Sequence, residues 1–381
     1  MVMSESSRPS QTVVHIFGAM DTGGAEIRTI ELMTALTAGG VTANYVTLSG
    51  RRGHLADEIE ASGSGVSPLP LSAGFPLRFL SLLRRLRVDV VDSHVATFSG
   101  AILAIAWLAR VPVRIAHFHS DGDDHGYSVR RRVQRAVMRY LVSAFATDIV
   151  GVSPGTLELG YSRSWSADPR CQIIPNGVGI ARLQRDSDLI IRDLLDVGPD
   201  AVLCLYLGRA SPEKNRQAIP AIIAELRRMG IDAHAVLIGP REASDDALVL
   251  HQAREHGVEG LVHLLGPDPH IGGLLRQVDV LLLPSHREGL PGVVIEAAAL
   301  GVPVVATALP GVEFIASRLS SILTVPLTAI PGEWAEVVRS AISSGHHDRE
   351  PTRVLQRFEQ SEFSLARSVE AHAKLYAGLD G

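Results

Sequence analysis

Short apolar runs alternate with amphipathic stretches along almost the whole chain. Thr12–Phe17 predicts a strand and Glu26–Ala38 an amphipathic helix. The rhythm continues as strand Thr42–Leu48, helix Leu77–Arg87, strand Val88–Asp92, helix Ala101–Leu108 and strand Val113–His117. Helix Val129–Leu141, strand Asp148–Val152 and a last short strand, Gln172–Ile174, close this half. After a looser polar stretch, Gly177–Asp200, the pattern restarts with strand Val202–Gly208 and helix Ala218–Arg228. Strand His234–Ile238, helix Ala247–His256 and strand Val262–Leu265 follow. Val280–Leu283, stopped by Pro284, reads as a buried parallel strand, Val293–Leu300 as a helix and Val304–Thr307 as the next strand. Strands alternating with helices imply parallel sheets wrapped by helices. The restart implies an α/β chain of two Rossmann-like domains, joined near residues 180–198, with a terminal helix over Ser364–Ala377.

Composition narrows the class. The chain has 381 residues, enough for two domains of ~100–200 residues each. Residues 1–180 hold 17 Arg against 15 acids, and the remainder 19 basic residues against 26 acids, so the net charge of −5 lies in the second half. Such a chain is a poor general nucleic-acid binder. Cys171 and Cys204, the two cysteines, lie in or beside strand-like runs and are expected to be buried inert thiols in a reducing compartment. The polar start, MVMSESSRPSQ, has no apolar signal core, and no apolar run nears the ~18–20 residues of a membrane span. A cytoplasmic protein is expected.

The candidate chemistry gathers at predicted strand ends, where open α/β sheets bind ligands. Glu288 and Glu296 stand eight residues apart in DVLLLPSHREGLPGVVIEAAALGVPVVAT, Glu288 on the loop and Glu296 about a turn inside the following helix. Gly208-Arg209-Ala-Ser-Pro-Glu-Lys214-Asn215 follows a strand and precedes a helix. It could set two cations over an anion at a helix's positive end, or be a solvated loop. Lys214 and Lys374 are the only lysines. Gly23 and Gly24 open the first helix and allow close backbone approach, without the G-x-G-x-x-G spacing of dinucleotide sites. His94, His117 and His119 end strands of the first half, and could orient a hydroxyl or be structural. Asp121-Gly-Asp123 has a D-x-D shape but reads as a polar loop, and His346-His347-Asp348 as surface. Arg131, Arg135 and Arg139 form a basic stripe at i, i+4 spacing, with Val133, Val137 and Leu141 elsewhere on the helix. That face could rest on anionic lipid or simply be solvated.

Together these pieces resemble glycosyltransferase family 4, of the GT-B fold. The resemblance runs through GGAE (23–26), VDVVDSH (88–94), PVRIAHFH (112–119), VGVSPG (150–155), IIPNGV (173–178), LGRASPEKN (207–215), LIGP (237–240), HLLG (263–266) and PSHREGLPGVVIEAAALGVPVVAT (284–307), the last carrying an E-x7-E signature. The wording around His117 is closest to exopolysaccharide and capsule-assembly enzymes.

The resemblance implies two Rossmann-like domains facing across a cleft: residues 1–182 for the acceptor and 183–363 for the donor, with the helix of about 364–381 packing back on the first. It implies a retaining hexosyltransferase that moves a sugar from a nucleotide-diphosphate sugar to an acceptor hydroxyl in polysaccharide or glycolipid assembly. Arg209 and Lys214 would neutralise the diphosphate, Glu288 would contact the sugar, and the backbone of Leu290, Pro291, Gly292 and Val293 would lie along sugar and phosphate. Glu296 would bind the ribose, and Gly23 and Gly24 would close on the diphosphate. His119 or His117 would assist the acceptor, and His94 is a further acceptor-side candidate. No cofactor or metal is expected, because cations and a helix end replace one. The partners expected are the nucleotide sugar, an unidentified acceptor such as a lipid-linked one, and an anionic membrane on whose inner face the protein would sit peripherally. Gly179 departs from the family, which often has Asp after Asn-Gly-Val. The alternatives are a GT-B epimerase or phosphorylase, or a catalytically idle sugar-binding or partner subunit.

Overall fold

The computed structural model describes residues 11–21, 23–120, 128–343 and 351–378. The chain divides into two compact units, Met1–Gly177 with Leu365–Gly381, and Val178–Ser364. Sequence had put the divisions at 182/183 and 363/364. Val178 belongs to the second unit because it forms a parallel bridge with Ser364, and its N–H donates to the Phe363 carbonyl at 2.9 Å.

The N-terminal unit runs β1 (Thr12–Phe17), α1 (Gly24–Thr37), β2 (Thr42–Thr47), α2 (Ala56–Ala61), β3 (Gly65–Pro68), α3 (Phe75–Leu86) and β4 (Val90–Ser93). It continues α4 (Ser99–Leu108), β5 (Val113–Phe118), α5 (Val129–Phe145), β6 (Asp148–Gly151), α6 (Pro154–Gly160) and β7 (Cys171–Ile173). The C-terminal unit runs α7 (Ile180–Leu183), α8 (Ile191–Leu195), β8 (Val202–Leu207), α9 (Ile219–Arg228), β9 (Ala233–Ile238), α10 (Ala243–Glu255), β10 (Val262–Leu265) and α11 (Ile271–Leu275). Then come β11 (Val280–Leu283), α12 (Gly292–Ala299), β12 (Val304–Thr307), α13 (Pro310–Ala316), β13 (Ile322–Val325), α14 (Pro331–Ser343) and α15 (Pro351–Gln360). The last helix, α16 (Leu365–Ala377), returns to the N-terminal unit, where it packs beside α1.

Both sheets are parallel. The first has strand order β3-β2-β1-β4-β5-β6-β7 and the second β10-β9-β8-β11-β12-β13. In each, the order reverses at one point, between β1 and β4 and between β8 and β11. Connections leave in opposite directions there and open a crevice beyond the strands' carboxyl ends. The N-terminal sheet is covered on both faces. Val14 and Ile16 join one core cluster, and Val13 and Phe17 the other, as period two demands of a buried strand.

The stretch between Leu48 and Leu77, for which the sequence pattern predicts no element, carries α2 and β3. The edge strand β3 reads GVSP and is only partly buried, so no apolar run announces it. Cys204 is buried as expected, whereas Cys171 is only half-buried, on the edge strand β7. Burial pushes the Cys204 thiol up, and lifts Cys171 to about 11.

Candidate active site

At the reversal point of the second sheet, β8 delivers Gly208–Asn215 and β11 delivers Ser285–Glu288. Hydrogen bonds to backbone carbonyls join the two loops. The His286 N–H donates to the Glu213 carbonyl at 2.7 Å, and Asn215 Nδ2 to the Pro284 carbonyl at 3.1 Å. Asn215 takes a left-handed backbone (φ 50°), a conformation Asn tolerates better than most residues. Lys214 ends the short 3-10 turn Pro212–Lys214, and its Nζ donates to both carboxylate oxygens of Glu288, at 2.7 and 2.9 Å. Ser285 Oγ donates to Glu288 Oε1 at 2.7 Å. Glu288 is therefore a buried carboxylate with three donated bonds, and Lys214 is half-buried above it. Arg209 is exposed, and its carbonyl accepts from Tyr206 Oη at 3.2 Å.

The chain after Glu288 turns into α12 at Pro291, whose missing N–H costs nothing at a helix start. Gly292 and Val293 open the helix and are partly exposed, Leu290 is buried, and Glu296 is buried at 3% exposure on the fifth helical residue. A Cβ on Gly311 would strike the Gly289 carbonyl, so glycine at the start of α13 lets that helix support the loop from behind. Next to Asn215, Arg216 is 1% exposed and donates to Asp245 Oδ2 at 2.6 Å and Asp246 Oδ1 at 2.8 Å. Arg241 also holds Asp246, and these bonds keep its carboxyl below the usual range despite burial.

At the reversal point of the first sheet, β1 leads to Gly23 and Gly24 at the head of α1, with Gly24 exposed in open space. β4 leads to His94 and β5 to His119. The histidines do not stand on an open edge. His117 lies inside β5 and is buried, and the His94 side chain is 1% exposed, its ring stacked on Phe17 at 4.3 Å. His119 is partly exposed just beyond the strand. His15 Nδ1 and His94 Nε2 are 3.0 Å apart, and His94 Nδ1 and His119 Nε2 are 2.8 Å apart, giving a chain of three imidazoles. The rings of His117 and His119 stack at 4.3 Å, as spacing two on one face requires. Beneath them lies Asp92, fully buried, whose Oδ2 accepts from Tyr376 Oη at 3.0 Å. Burial drives His15 and His372 down to about 4 and His117 to about 3, and pushes His94 and His119 well below the usual histidine range. The same burial pushes the Asp92 carboxyl up.

On α5 the basic stripe is incomplete. Arg139 Nη2 donates to the Leu159 carbonyl at 2.9 Å and so is tied to α6. Leu141 is partly buried, while Val129, Val133, Val137 and Tyr140 are 75%, 58%, 48% and 70% exposed. The helix thus presents a row of apolar side chains beside exposed Arg130, Arg131 and Arg132.

Two family models match the chain. The one described as Glycosyltransferase Family 4 covers residues 22–182, and the one described as Glycosyl transferases group 1 covers residues 201–344. The chain belongs to glycosyltransferase family 4. Relatives include the capsular polysaccharide biosynthesis glycosyltransferase CapH of Staphylococcus aureus, 27% identical over 88% of this chain and 92% of that protein. The putative glycosyltransferase EpsF of Bacillus subtilis is 25% identical over 96% of each. Among solved structures, Anabaena HepE superposes with a TM-score of 0.79 at 18% identity, covering 97% of this chain and all of that one. The lipopolysaccharide-biosynthesis glycosyltransferase WaaG gives 0.70 at 17%, covering 96% and 100%. These neighbours establish the GT-B fold, two Rossmann-like units.

Within this glycosyltransferase the expected site residues fall into two groups. Arg209, Lys214, Glu288, Leu290–Val293 and Glu296 share the crevice of the C-terminal sheet. Gly23, Gly24, His94, His117 and His119 belong to the N-terminal unit, the glycines at the head of α1 and the histidines in the packed cluster over Asp92. Sequence reasoning missed His15, Asp92, His372 and Tyr376. The signal for His15 and Asp92 was a polar residue inside an otherwise apolar strand, VVHIF and VVDS, whereas His372 and Tyr376 lie on α16. The Asp121-Gly-Asp123 and His346-His347-Asp348 segments lie outside the described residues. Among the described residues no helix is long and apolar enough to cross a membrane.

Proposed function

We propose that this glycosyltransferase transfers a hexose, with retention of anomeric configuration, from a nucleotide-diphosphate sugar to an acceptor hydroxyl in polysaccharide or glycolipid assembly. The observation that carries the reading is the Lys214–Glu288 pair at the reversal point of the C-terminal sheet, with Arg209 and the head of α12 beside it. An ammonium, a guanidinium and free helix N–H groups suit a diphosphate and stabilise it as a leaving group. That is the charge a divalent cation would otherwise supply, so the transfer step needs no metal. HepE, a GT-B neighbour, has been crystallised with UDP-glucose, and CapH is named for capsular polysaccharide biosynthesis.

In this reading Lys214 exchanges part of its bond to Glu288 for a phosphate oxygen. Glu288 is then free to accept from the donor sugar's hydroxyls, and the backbone of Leu290–Val293 runs along sugar and phosphate. Glu296 takes the ribose hydroxyls. The departing phosphate accepts the acceptor's proton on the same face, which gives retention. In the N-terminal unit, Gly23 and Gly24 offer the head of a fourteen-residue helix to an anionic group. His119, the partly exposed histidine at the strand end, orients the acceptor, and His94 holds it through the 2.8 Å bond. The apolar and basic surface of α5 rests on the anionic inner face of a membrane, where a lipid-linked acceptor would be presented. Titration with bare nucleoside diphosphates tests the donor site. One of UDP, GDP, ADP or TDP should bind and raise the melting temperature. Failure of all of them would remove the reading.

A further inference from the structure

Asp92 is a fully buried carboxylate whose near neighbours are His15, His94, His117 and Tyr376. Taking a carboxylate out of water is costly unless it is paired or binds a cation. Three of the unit's buried polar atoms without a hydrogen-bond partner are Asp92 Oδ1, His117 Nδ1 and His372 Nε2. These three residues form one of three groups, among the described residues, whose possible ligand atoms lie within 4.8 Å of one another. The other two groups both need His94, which spends Nε2 on His15 and Nδ1 on His119. His15 Nε2 and His119 Nδ1 are also unspent, but of the three groups only Asp92, His117 and His372 has an unspent atom on every member.

We propose that Asp92, His117 and His372 bind a divalent transition-metal ion of the zinc class and so pin α16 to the N-terminal sheet. Three relationships carry this. Asp92 Oδ1 and His117 Nδ1 are 3.4 Å apart. Two ligands at the usual ~2.0–2.1 Å from a tetrahedral zinc are themselves about 3.3–3.4 Å apart, so the pair is already at coordination spacing. His372 Nδ1 lies 2.8 Å from the Ser368 carbonyl, which can only accept, so the proton is on Nδ1 and Nε2 carries the lone pair. Tyr376 Oη holds the other Asp92 oxygen at 3.0 Å. A backbone carbonyl behind one ligand and a hydroxyl behind another are the outer partners that fix metal ligands. One carboxylate with two imidazoles suits zinc, cobalt or nickel rather than magnesium or calcium, and three protein ligands leave a fourth position for water.

The ion would sit within the N-terminal unit, and its role is structural. It would also settle the choice between the paired histidines, because His117 would be a ligand while His119 remains for the acceptor. That last consequence rests on the proposed function; the metal site does not.

The test uses the full chain, stripped with a chelator and then titrated with Zn²⁺ and Co²⁺. About one ion per chain should bind, Co²⁺ should develop the visible absorption of a four-coordinate site, and Zn²⁺ should raise the melting temperature. Asp92→Asn and His372→Gln should each weaken binding at least tenfold, and Tyr376→Phe by about 10–100-fold. His119→Gln should bind the ion as the parent does. Absence of Co²⁺ absorption and of a Zn²⁺ thermal shift in the parent overturns the proposal, and leaves a proton shared between Asp92 and a histidine. Binding that survives in both Asp92→Asn and His372→Gln overturns it too, since the ion then lies elsewhere.

Discussion

Lys214 Nζ donates to both oxygens of the Glu288 carboxylate, which lies 74 residues further along the chain. The residue assigned to the diphosphate and the residue assigned to the sugar thus neutralise one another before a donor arrives. Lys214→Ala removes a phosphate contact and strands a buried carboxylate. It should weaken nucleoside-diphosphate binding by about 1–3 kcal/mol, measured calorimetrically. A double-mutant cycle with Glu288→Gln should show coupling of about 0.5–3 kcal/mol, and additive losses would mean the pair does not act as a unit.

The two glutamates should separate in steady-state kinetics. Glu296, buried on α12 and assigned to the ribose, contributes binding that is equal in ground and transition states. Glu296→Gln should chiefly raise the donor KM. Glu288→Gln should chiefly lower kcat, with a smaller change in KM through the freed Lys214. The reverse pattern would exchange their roles.

Arg216 is structural. It is buried between Asp245 and Asp246 and anchors the start of α9 behind the Lys214 loop. Arg216→Ala strips Asp245 of this buried partner and leaves Asp246 to Arg241 alone, and should cost about 3–5 kcal/mol in chemical denaturation of the C-terminal unit. Arg216→Lys cannot restore the two-pronged contact and should recover only part of that.

Stability of the C-terminal unit should fall in mild acid. His234 Nδ1 and His263 Nε2 lie 3.3 Å apart with rings stacked, and burial holds both below the usual 6.5. In the unfolded chain they take up protons near 6.5, and in the folded unit only at lower pH. The unfolded state therefore binds more protons below 6.5, and stability declines from there toward the lowered folded values. Melting of His263→Gln should depend less steeply on pH between 6.5 and 5 than melting of the parent. Identical slopes would remove the pair as a source.

The surface of α5 predicts lipid-dependent behaviour. The protein should co-sediment with vesicles rich in anionic lipid and not with neutral ones, and Arg131→Glu with Arg135→Glu should abolish it. No sedimentation of the parent at low salt would end the membrane assignment.

Much of this was legible from the chain. Val280–Leu283 is uniformly apolar and stopped by Pro284, and the VVAT strand Val304–Thr307 follows Gly301 and Pro303, so both strands and the loop after the first could be placed. Lys214 and Glu288 could be put on one sheet edge for the same reason. Their direct bond could not, because it depends on the turn at Asn215 and on the His286–Glu213 backbone bond. The strand β3 escaped because an edge strand with Ser and Pro carries no apolar run. The Asp92 cluster escaped because His372 and Tyr376 arrive on the chain's last helix. Only the return of α16 to the first sheet brings them beside residues near the N-terminus.

The most direct measurement is release of nucleoside diphosphate from a panel of nucleotide sugars, by the parent and by Glu288→Gln. The account predicts that at least one donor is turned over, that the sugar product keeps the donor's anomeric configuration by NMR, and that Glu288→Gln is slower by at least about 10²-fold. A parent protein that neither turns over nor is stabilised by any donor would contradict it, as would a Glu288→Gln variant that works at the parent's rate.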